Sequence, residues 1–499
     1  MMHVQGKSDS SRVPKKAPNE GRGAPRAEEA VEGRSLAKGN ADQQNTLRTQ
    51  SRAGVPSALD RVREVARRDK QAKFTALFHH LTIERLRGAF HALKRRAAPG
   101  IDGVTWEQYA GNLEGNLKDL HARLRRGAYR AKPSRRVCIP KADGRQRPLG
   151  IASLEDKVVQ RAVGEVLNAI YETDFLGFSY GFRPGRSQHQ ALDALAVGVR
   201  RGKVNWLLDA DIRGFFDAID RGWMVKFVEH RIADRRIVRL IQKWLRAGVM
   251  EEGKSIECEA GTPQGATISP LLANIYLHYV LDLWVQQWRK RHARGGVIIT
   301  RFADDFVAGF EYRKDAERFL AELRERLRKF SLELHPDKTR ILEFGRYAAS
   351  DRQARGEGKP ESFNFLGFTH LCGKTATGKF LIVRRTMRDR MRRKLQEVKA
   401  ELQRRRHEPI PTQGEWLRSV VQGHFEYYAV PTNGQSLARF RDQVTCHWHR
   451  ALRRRSQRSR VNWQRMQRLA RRWIPPVRIL HPWPDERFDV RTRGKSPVQ

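Results

Sequence analysis

Two carboxylates stand side by side at Asp304 and Asp305, within Arg301-Phe302-Ala303-Asp304-Asp305-Phe306-Val307. Apolar residues flank the pair, so residues 297–310 read as two short strands around Ala303-Asp304-Asp305. Carboxylates between apolar strands are costly to bury unless a cation or a partner compensates them. A hairpin tip with paired Asp suits a hard cation such as Mg²⁺, which takes oxygen ligands and keeps several waters. For an isolated pair, a solvated turn is the competing reading. A second acidic cluster, Asp209-Ala210-Asp211-Ile212-Arg213-Gly214-Phe215-Phe216-Asp217, follows another apolar run at 204–210. If the two strands are neighbours in one sheet, Asp211 can face Asp304 and Asp305. Three carboxylates could then hold two metals roughly 3.5–4 Å apart, the arrangement of in-line phosphoryl displacement. Asp209 and Asp217 are rivals, and alternation along a strand gives Asp209 the same face as Asp211.

The rest of the chain must position these groups and bring a polyanion to them. The 499 residues carry 98 Lys plus Arg against 55 Asp plus Glu, a formal net charge of +43 and a pI near 11.0. Such a charge repels itself unless neutralised, and nucleic acid is the expected partner because phosphate binding releases counterions. Four Cys without a C-x-x-C pair exclude a disulfide scaffold and a zinc ribbon, and suit a reducing compartment. Residues 1–52 lack an apolar run, so no signal peptide is expected. The richest apolar stretch, 268–285, is interrupted by Pro270, Asn274, His278 and Asp282 at four-residue spacing, and reads as an amphipathic soluble helix with one polar face. No P-loop, H-E-x-x-H site or hydrolase triad is present.

Residues 1–55 read as a polar, disordered segment. Helical patterning begins near Pro56; Leu81, Leu86, Phe90 and Leu93 share a face. Val137-Cys138-Ile139-Pro140 reads as a strand entering a polar loop at 141–147. Residues 315–330 read as a helix, and 332–334 and 339–344 as extended. From Arg384 the chain turns helical and basic, with 29 Lys plus Arg against 10 Asp plus Glu, and Met387, Met391, Leu395, Val398 and Leu402 at helical spacing.

These residues resemble one family. From about 70 to 490 the chain is similar to the reverse transcriptases encoded within bacterial group II introns, also called maturases. The resemblance rests on seven ordered motifs: Gly100-Ile101-Asp102-Gly103; Ile139-Pro140-Lys141 with Arg147-Pro148-Leu149-Gly150; Ser179-Tyr180-Gly181-Phe182-Arg183-Pro184-Gly185; Asp211 to Asp217; Gly261-Thr262-Pro263-Gln264-Gly265; Phe302-Ala303-Asp304-Asp305; and Phe365-Leu366-Gly367-Phe368. It implies that Asp211, Asp304 and Asp305 are the catalytic carboxylates that bind two Mg²⁺ ions. Phe302 stands where many members have Tyr. Lys141 and Arg147 match triphosphate-binding positions, Phe216 the aromatic that crowds the sugar 2′ position, Gln264 the nucleotide pocket, and Lys338 a Lys near the triphosphate. Arg183 matches a position that contacts template or supports the fingers. Gly423-His424-Phe425-Glu426-Tyr427-Tyr428 matches a maturase segment, and with Trp448, Arg450, Arg453, Arg454 and Arg455 it implies RNA binding. Tyr427, Tyr428 and Trp448 could equally be core residues of a small helical domain.

The implied fold is α+β, a right-hand polymerase with an antiparallel palm sheet followed by a basic helical domain. The implied boundaries are fingers with an N-terminal extension over 56–205, palm over 206–380, thumb over 381–410 and maturase domain over 411–499. The implied activity is RNA-templated addition of deoxynucleotides to a primer 3′-OH, with binding of the parent intron RNA, assistance to splicing and a part in intron mobility on target DNA. A cytoplasmic, nucleoid-associated bacterial protein without membrane attachment is expected. The paired Cys of a C-terminal HNH endonuclease are missing, and Cys446, His447 and His449 read as structural. The alternatives are an RNA-binding splicing factor with an inactive palm and a reverse transcriptase domesticated for defence.

Overall fold

The computed structural model describes residues 58–140, 146–251, 254–256, 265–455 and 461–492. They divide into two compact units, one of residues up to 191 and 207–341, the other of 192–206 and 342–492. The architecture is α+β.

The first unit is built on a buried helix, Leu154–Asp174. Val158, Val159, Ala162, Val163, Val166, Leu167 and Ile170 recur at helical spacing and are all buried. Its start is fixed by the Ser153 side chain, which accepts a hydrogen bond from the Asp156 backbone N–H. One four-stranded sheet runs in the order Gln146–Ile151, Ser134–Pro140, Val249–Glu251, Lys254–Ile256, with a parallel pair between Ser134–Pro140 and Val249–Glu251 and antiparallel pairs on either side. The second sheet runs Val297–Phe302, Asp305–Phe310, Trp206–Ala210, Arg340–Glu343, so the two acidic segments are carried on neighbouring strands. Helices Ser269–Leu277 and Arg313–Arg328 belong to the same unit.

One expectation is corrected here. The polar residues of 268–285 do not face solvent: Asn274, His278 and Asp282 are buried. Nor is the helix regular, since a π-helical turn, His278–Asp282, separates Ser269–Leu277 from Leu283–Arg291. Two members of the stripe, Asn274 and Asp282, bond a buried guanidinium, Arg301, and His278 lies 4.0 Å from Asp282. Leu81 is also displaced from its expected helix; it precedes the N-cap Thr82 of Ile83–His91.

The second unit has a three-stranded antiparallel sheet, Phe380–Thr386, Phe368–Lys374 and Phe363–Phe365, followed by helices Arg388–Arg404, Ile410–Tyr428, Gly434–Arg453 and Trp463–Trp473. Its helical core closes around Trp448, which is fully buried and donates its indole N–H to Gln413 Oε1 at 2.9 Å. His449 Nε2 lies 2.9 Å from the Val461 carbonyl, a structural contact.

Candidate active site

The hairpin that carries the paired carboxylates is tight. Val297–Phe302 and Asp305–Phe310 pair antiparallel with Phe302 opposite Asp305, so only Ala303 and Asp304 form the turn. Ala303 has φ +58, in the left-handed region that non-glycine residues rarely adopt. The neighbouring strand ends at Ala210, so Asp211 is the first residue beyond it. Backbone bonds then fix that residue: His335 N–H donates to the Asp211 carbonyl at 2.8 Å, and Arg213 N–H to the Glu333 carbonyl at 2.8 Å.

Lys338 closes the site from a short 3₁₀ turn, Pro336–Lys338. Its Nζ donates to Asp211 Oδ2 at 2.5 Å. Asp209 joins the cluster as alternation allows, half-buried with its Oδ2 3.9 Å from Arg340 Nε. Burial raises its carboxyl to about 6, with Arg340 opposing and Asp211 adding to the shift. Asp305 is raised well above the usual carboxylate range, first by lost hydration and then by the charges of Asp304 and Asp211; Lys338 opposes, and Asp209 adds. Asp305 is exposed to solvent, so the like charges crowded around it contribute to that shift beside the lost hydration.

That crowding makes the site a fit for a divalent cation. The donors are carboxylate oxygens, the ligands Mg²⁺ takes, and it binds through one or two carboxylates plus substrate phosphates without a full protein cage. Among the described residues, no group of three or more His, Cys, Asp or Glu side chains is gathered closely enough to hold a metal unaided.

The other predicted residues divide. Phe216 is half-buried, its ring 5.4 Å from the core residue Phe215 and edge-on to it. Lys141 and Gln264 lie outside the described residues. Arg147 sits within the strand Gln146–Ile151, opposite Ile139, where the loop was expected to continue. Arg183 is buried, donating to Glu172 at 2.7 Å and to the carbonyls of Leu176 and Ser179 at 2.6 and 2.7 Å. Its donors brace its own loop, in keeping with the supporting alternative of the two that the resemblance implies. Tyr428 is likewise core, 4 % exposed and packed on Phe368, so it offers no face for stacking on RNA. Tyr427 is half-buried with its hydroxyl donating to the Leu366 carbonyl at 2.8 Å. Arg450, Arg453 and Arg454 are exposed; Arg455 is half-exposed and donates to the His407 carbonyl at 2.9 Å.

The motif glycine Gly181 has a purely steric role. A Cβ built there would lie 2.2 Å from the Ala303 nitrogen. Gly181→Ala must therefore push the hairpin away, at about 1–3 kcal/mol in stability, and a displacement near 1 Å would cost about 10²-fold in turnover. Thermal melts and single-turnover extension check this; activity within twofold of wild type would show that the close approach is dispensable.

Sequence reasoning did not identify Arg301, two residues before the turn. It is wholly buried, and its charge is matched by Asp282. The signal available was the polar spacing at 274, 278 and 282, together with an Arg inside an apolar strand.

With this geometry in view, comparison with known proteins becomes specific. A family model described as reverse transcriptase (RNA-dependent DNA polymerase) matches residues 139–370, which include all three aspartates. Protein YkfC of Escherichia coli (strain K12) is 36 % identical over 275 residues, covering 49 % of this chain and 72 % of that protein. The group II intron-encoded protein LtrA of Lactococcus lactis subsp. cremoris is 35 % identical over 238 residues, 47 % of this chain and 39 % of that protein. The nuclear intron maturase 3, mitochondrial, of Arabidopsis thaliana is 28 % identical over 144 residues, 29 % of this chain and 20 % of that protein. A chain that carries the motifs in order, sets its two acidic segments at the ends of neighbouring strands and shares this much sequence with such proteins belongs to the reverse transcriptase family, among the group II intron-encoded reverse transcriptases and maturases.

Proposed function

We propose that the protein is an RNA-directed DNA polymerase that also binds its parent group II intron RNA, assists its splicing and takes part in its mobility into target DNA. Fingers, palm, thumb and maturase domain would follow the boundaries given above. The observation that supports the catalytic reading most directly is the Asp304–Asp305 hairpin beside Asp211, with Lys338 bonded to Asp211.

Asp211, Asp304 and Asp305 would hold two Mg²⁺ ions, which when bound would activate the primer 3′-OH and offset charge developing on the transferring phosphorus. Lys338 neutralises Asp211 in the free protein; on substrate binding its ammonium would turn to the triphosphate. Lys141 and Arg147 would clamp the same triphosphate, since fixed cations stabilise a transferring phosphoryl group. Gln264 would line the nucleotide pocket, and Phe216 would exclude a ribose 2′-OH. Truncation of Phe216 to Ala should raise ribonucleotide incorporation relative to deoxynucleotide by about tenfold or more, read from competing rCTP and dCTP. An unchanged ratio would remove that role.

Intron binding would use the exposed arginines of the second unit, Arg450, Arg453 and Arg454, with Arg455 and Tyr427 at its margin, because cationic groups contact RNA phosphates while aromatics stack on bases. No helix among the described residues is long and apolar enough to cross a membrane. Two assays test the proposal: dTMP incorporation on poly(rA)/oligo(dT), and splicing of the intron RNA at near-physiological Mg²⁺ with and without protein. Absence of incorporation by wild type would leave only the splicing factor; absence of acceleration would remove the splicing role.

A further inference from the structure

The buried cluster around Arg301 uses every hydrogen-bond donor its guanidinium has. A guanidinium offers five N–H groups in a fixed plane. Arg301 Nε donates to Asp282 Oδ1 at 2.8 Å and Nη2 to Asp282 Oδ2 at 2.6 Å, a bidentate pair. Nη2 also donates to Ser179 Oγ at 2.7 Å, and Nη1 to Asn274 Oδ1 at 3.1 Å. The remaining donor goes to the turn itself, Nη1 to the Ala303 carbonyl at 2.9 Å. Asn274 also holds the segment packed on the turn, its Nδ2 donating at 2.7 Å to the carbonyl of Gly181, which approaches the Ala303 nitrogen closely.

We infer that Arg301 and Asp282 are positioning residues, a buried clamp that holds the Ala303–Asp304 turn in its left-handed form and so sets the metal-holding geometry of Asp304 and Asp305. The inference deepens the polymerase reading and rests on it. A buried ion pair is a weak device for stability alone, because desolvation offsets its attraction. Its use here is directional: Ala303 is held at φ +58, a conformation that alanine does not favour, and the carbonyl of that residue is what the guanidinium binds. The π turn serves the same end. In a regular helix, residues eight apart fall about 80° out of line; the wider turn at His278–Asp282 brings Asp282 and Asn274 onto one guanidinium. His278, 4.0 Å from Asp282, is lowered to about 4 by burial, so at neutral pH it is uncharged and leaves the Asp282 carboxylate to Arg301.

The test is Arg301→Lys, which keeps the charge but has three donors in another geometry. Full-length protein bound to poly(rA)/oligo(dT) is titrated with Mn²⁺ and followed by EPR, and dTMP incorporation is measured on the same samples. Loss of a residue that orients metal-holding groups typically costs 10–100-fold in metal affinity or activity. Expected are Mn²⁺ binding weaker by about tenfold and kcat lower by about 10–100-fold, with primer–template affinity within twofold of wild type. Unchanged Mn²⁺ affinity overturns the clamp, with or without a loss of turnover. If wild type binds Mn²⁺ but incorporates nothing, the polymerase reading fails and the Mn²⁺ comparison still decides the clamp; if wild type binds no Mn²⁺, both fail. Should Arg301→Lys not fold, Arg301→Met with Asp282→Leu replaces it, since removing both buried charges together is often neutral for stability while the Ala303 carbonyl still loses its donor.

Discussion

Alanine at both Asp304 and Asp305 is expected to abolish dTMP incorporation while leaving the protein at least as stable to heat as wild type. The two halves of this result have different origins. Activity falls because two of three carboxylates that would hold the metals are gone, and metal ions supply several kcal/mol of transition-state charge stabilisation. At about 1.4 kcal/mol per tenfold, the loss is on the order of 10³-fold or greater. Stability is preserved because Asp305 is an electrostatic liability in the free protein: lost hydration and the charges of Asp304, Asp211 and Asp209 all raise its carboxyl, with only Lys338 opposing. A folded-state acid raised in this way costs stability at neutral pH, and the cost disappears as pH falls and the group takes up its proton. Alanine removes it at every pH. Primer extension and calorimetry on the same preparation decide the matter. Full incorporation by the double variant would end the catalytic assignment.

Trp448→Ala should produce the largest loss of stability, confined to the second unit. The indole is fully buried, and its N–H is bonded to Gln413, itself buried. Gln413 in turn donates through Nε2 to the carbonyls of Arg405 and Glu408 at 2.8 and 3.1 Å. Truncation costs about 3–5 kcal/mol for the cavity, and orphaning the Gln413 oxygen adds about 1–3 kcal/mol. For a unit of this size, the melting transition should fall by about 10 °C or more. Trp448→Phe retains most of the volume and loses only the N–H, so it should fall in between. Differential scanning calorimetry would read both; a shift below about 2 °C for the alanine variant would mean the helices close without this residue. Intron binding should weaken in step with unfolding of this unit, because the exposed arginines 450, 453 and 454 are carried on or just after the same helix.

The features legible in the sequence are those fixed within a few residues. The hairpin at 297–310 could be read because strands buried on both faces need near-continuous apolar runs, and the acidic pair between two such runs marks the turn. The helix at Arg313–Arg328 follows from apolar spacing in the same local way. The excess of positive charge, and with it a polyanionic partner, is pure composition. Motif order named the three aspartates, and strand adjacency then set Asp211 just past one strand and Asp304 and Asp305 at the tip of the neighbouring hairpin.

Tertiary structure decided everything that turns on which neighbour a side chain meets. Asn274, His278 and Asp282 form the same periodic stripe whether they face water or a buried guanidinium, because polar groups are satisfied equally well by either. Only the packing of the helix against the Arg301 strand selects the second. Arg183, Tyr428 and Trp448 have the residue types of an RNA surface and are core, since an arginine closed on Glu172 or an indole closed on Gln413 is as well bonded as one in solvent. The bond between Lys338 and Asp211 joins residues 127 positions apart, a contact that no local pattern encodes. Periodicity specifies that a face exists; the long-range closure of the chain specifies what that face touches.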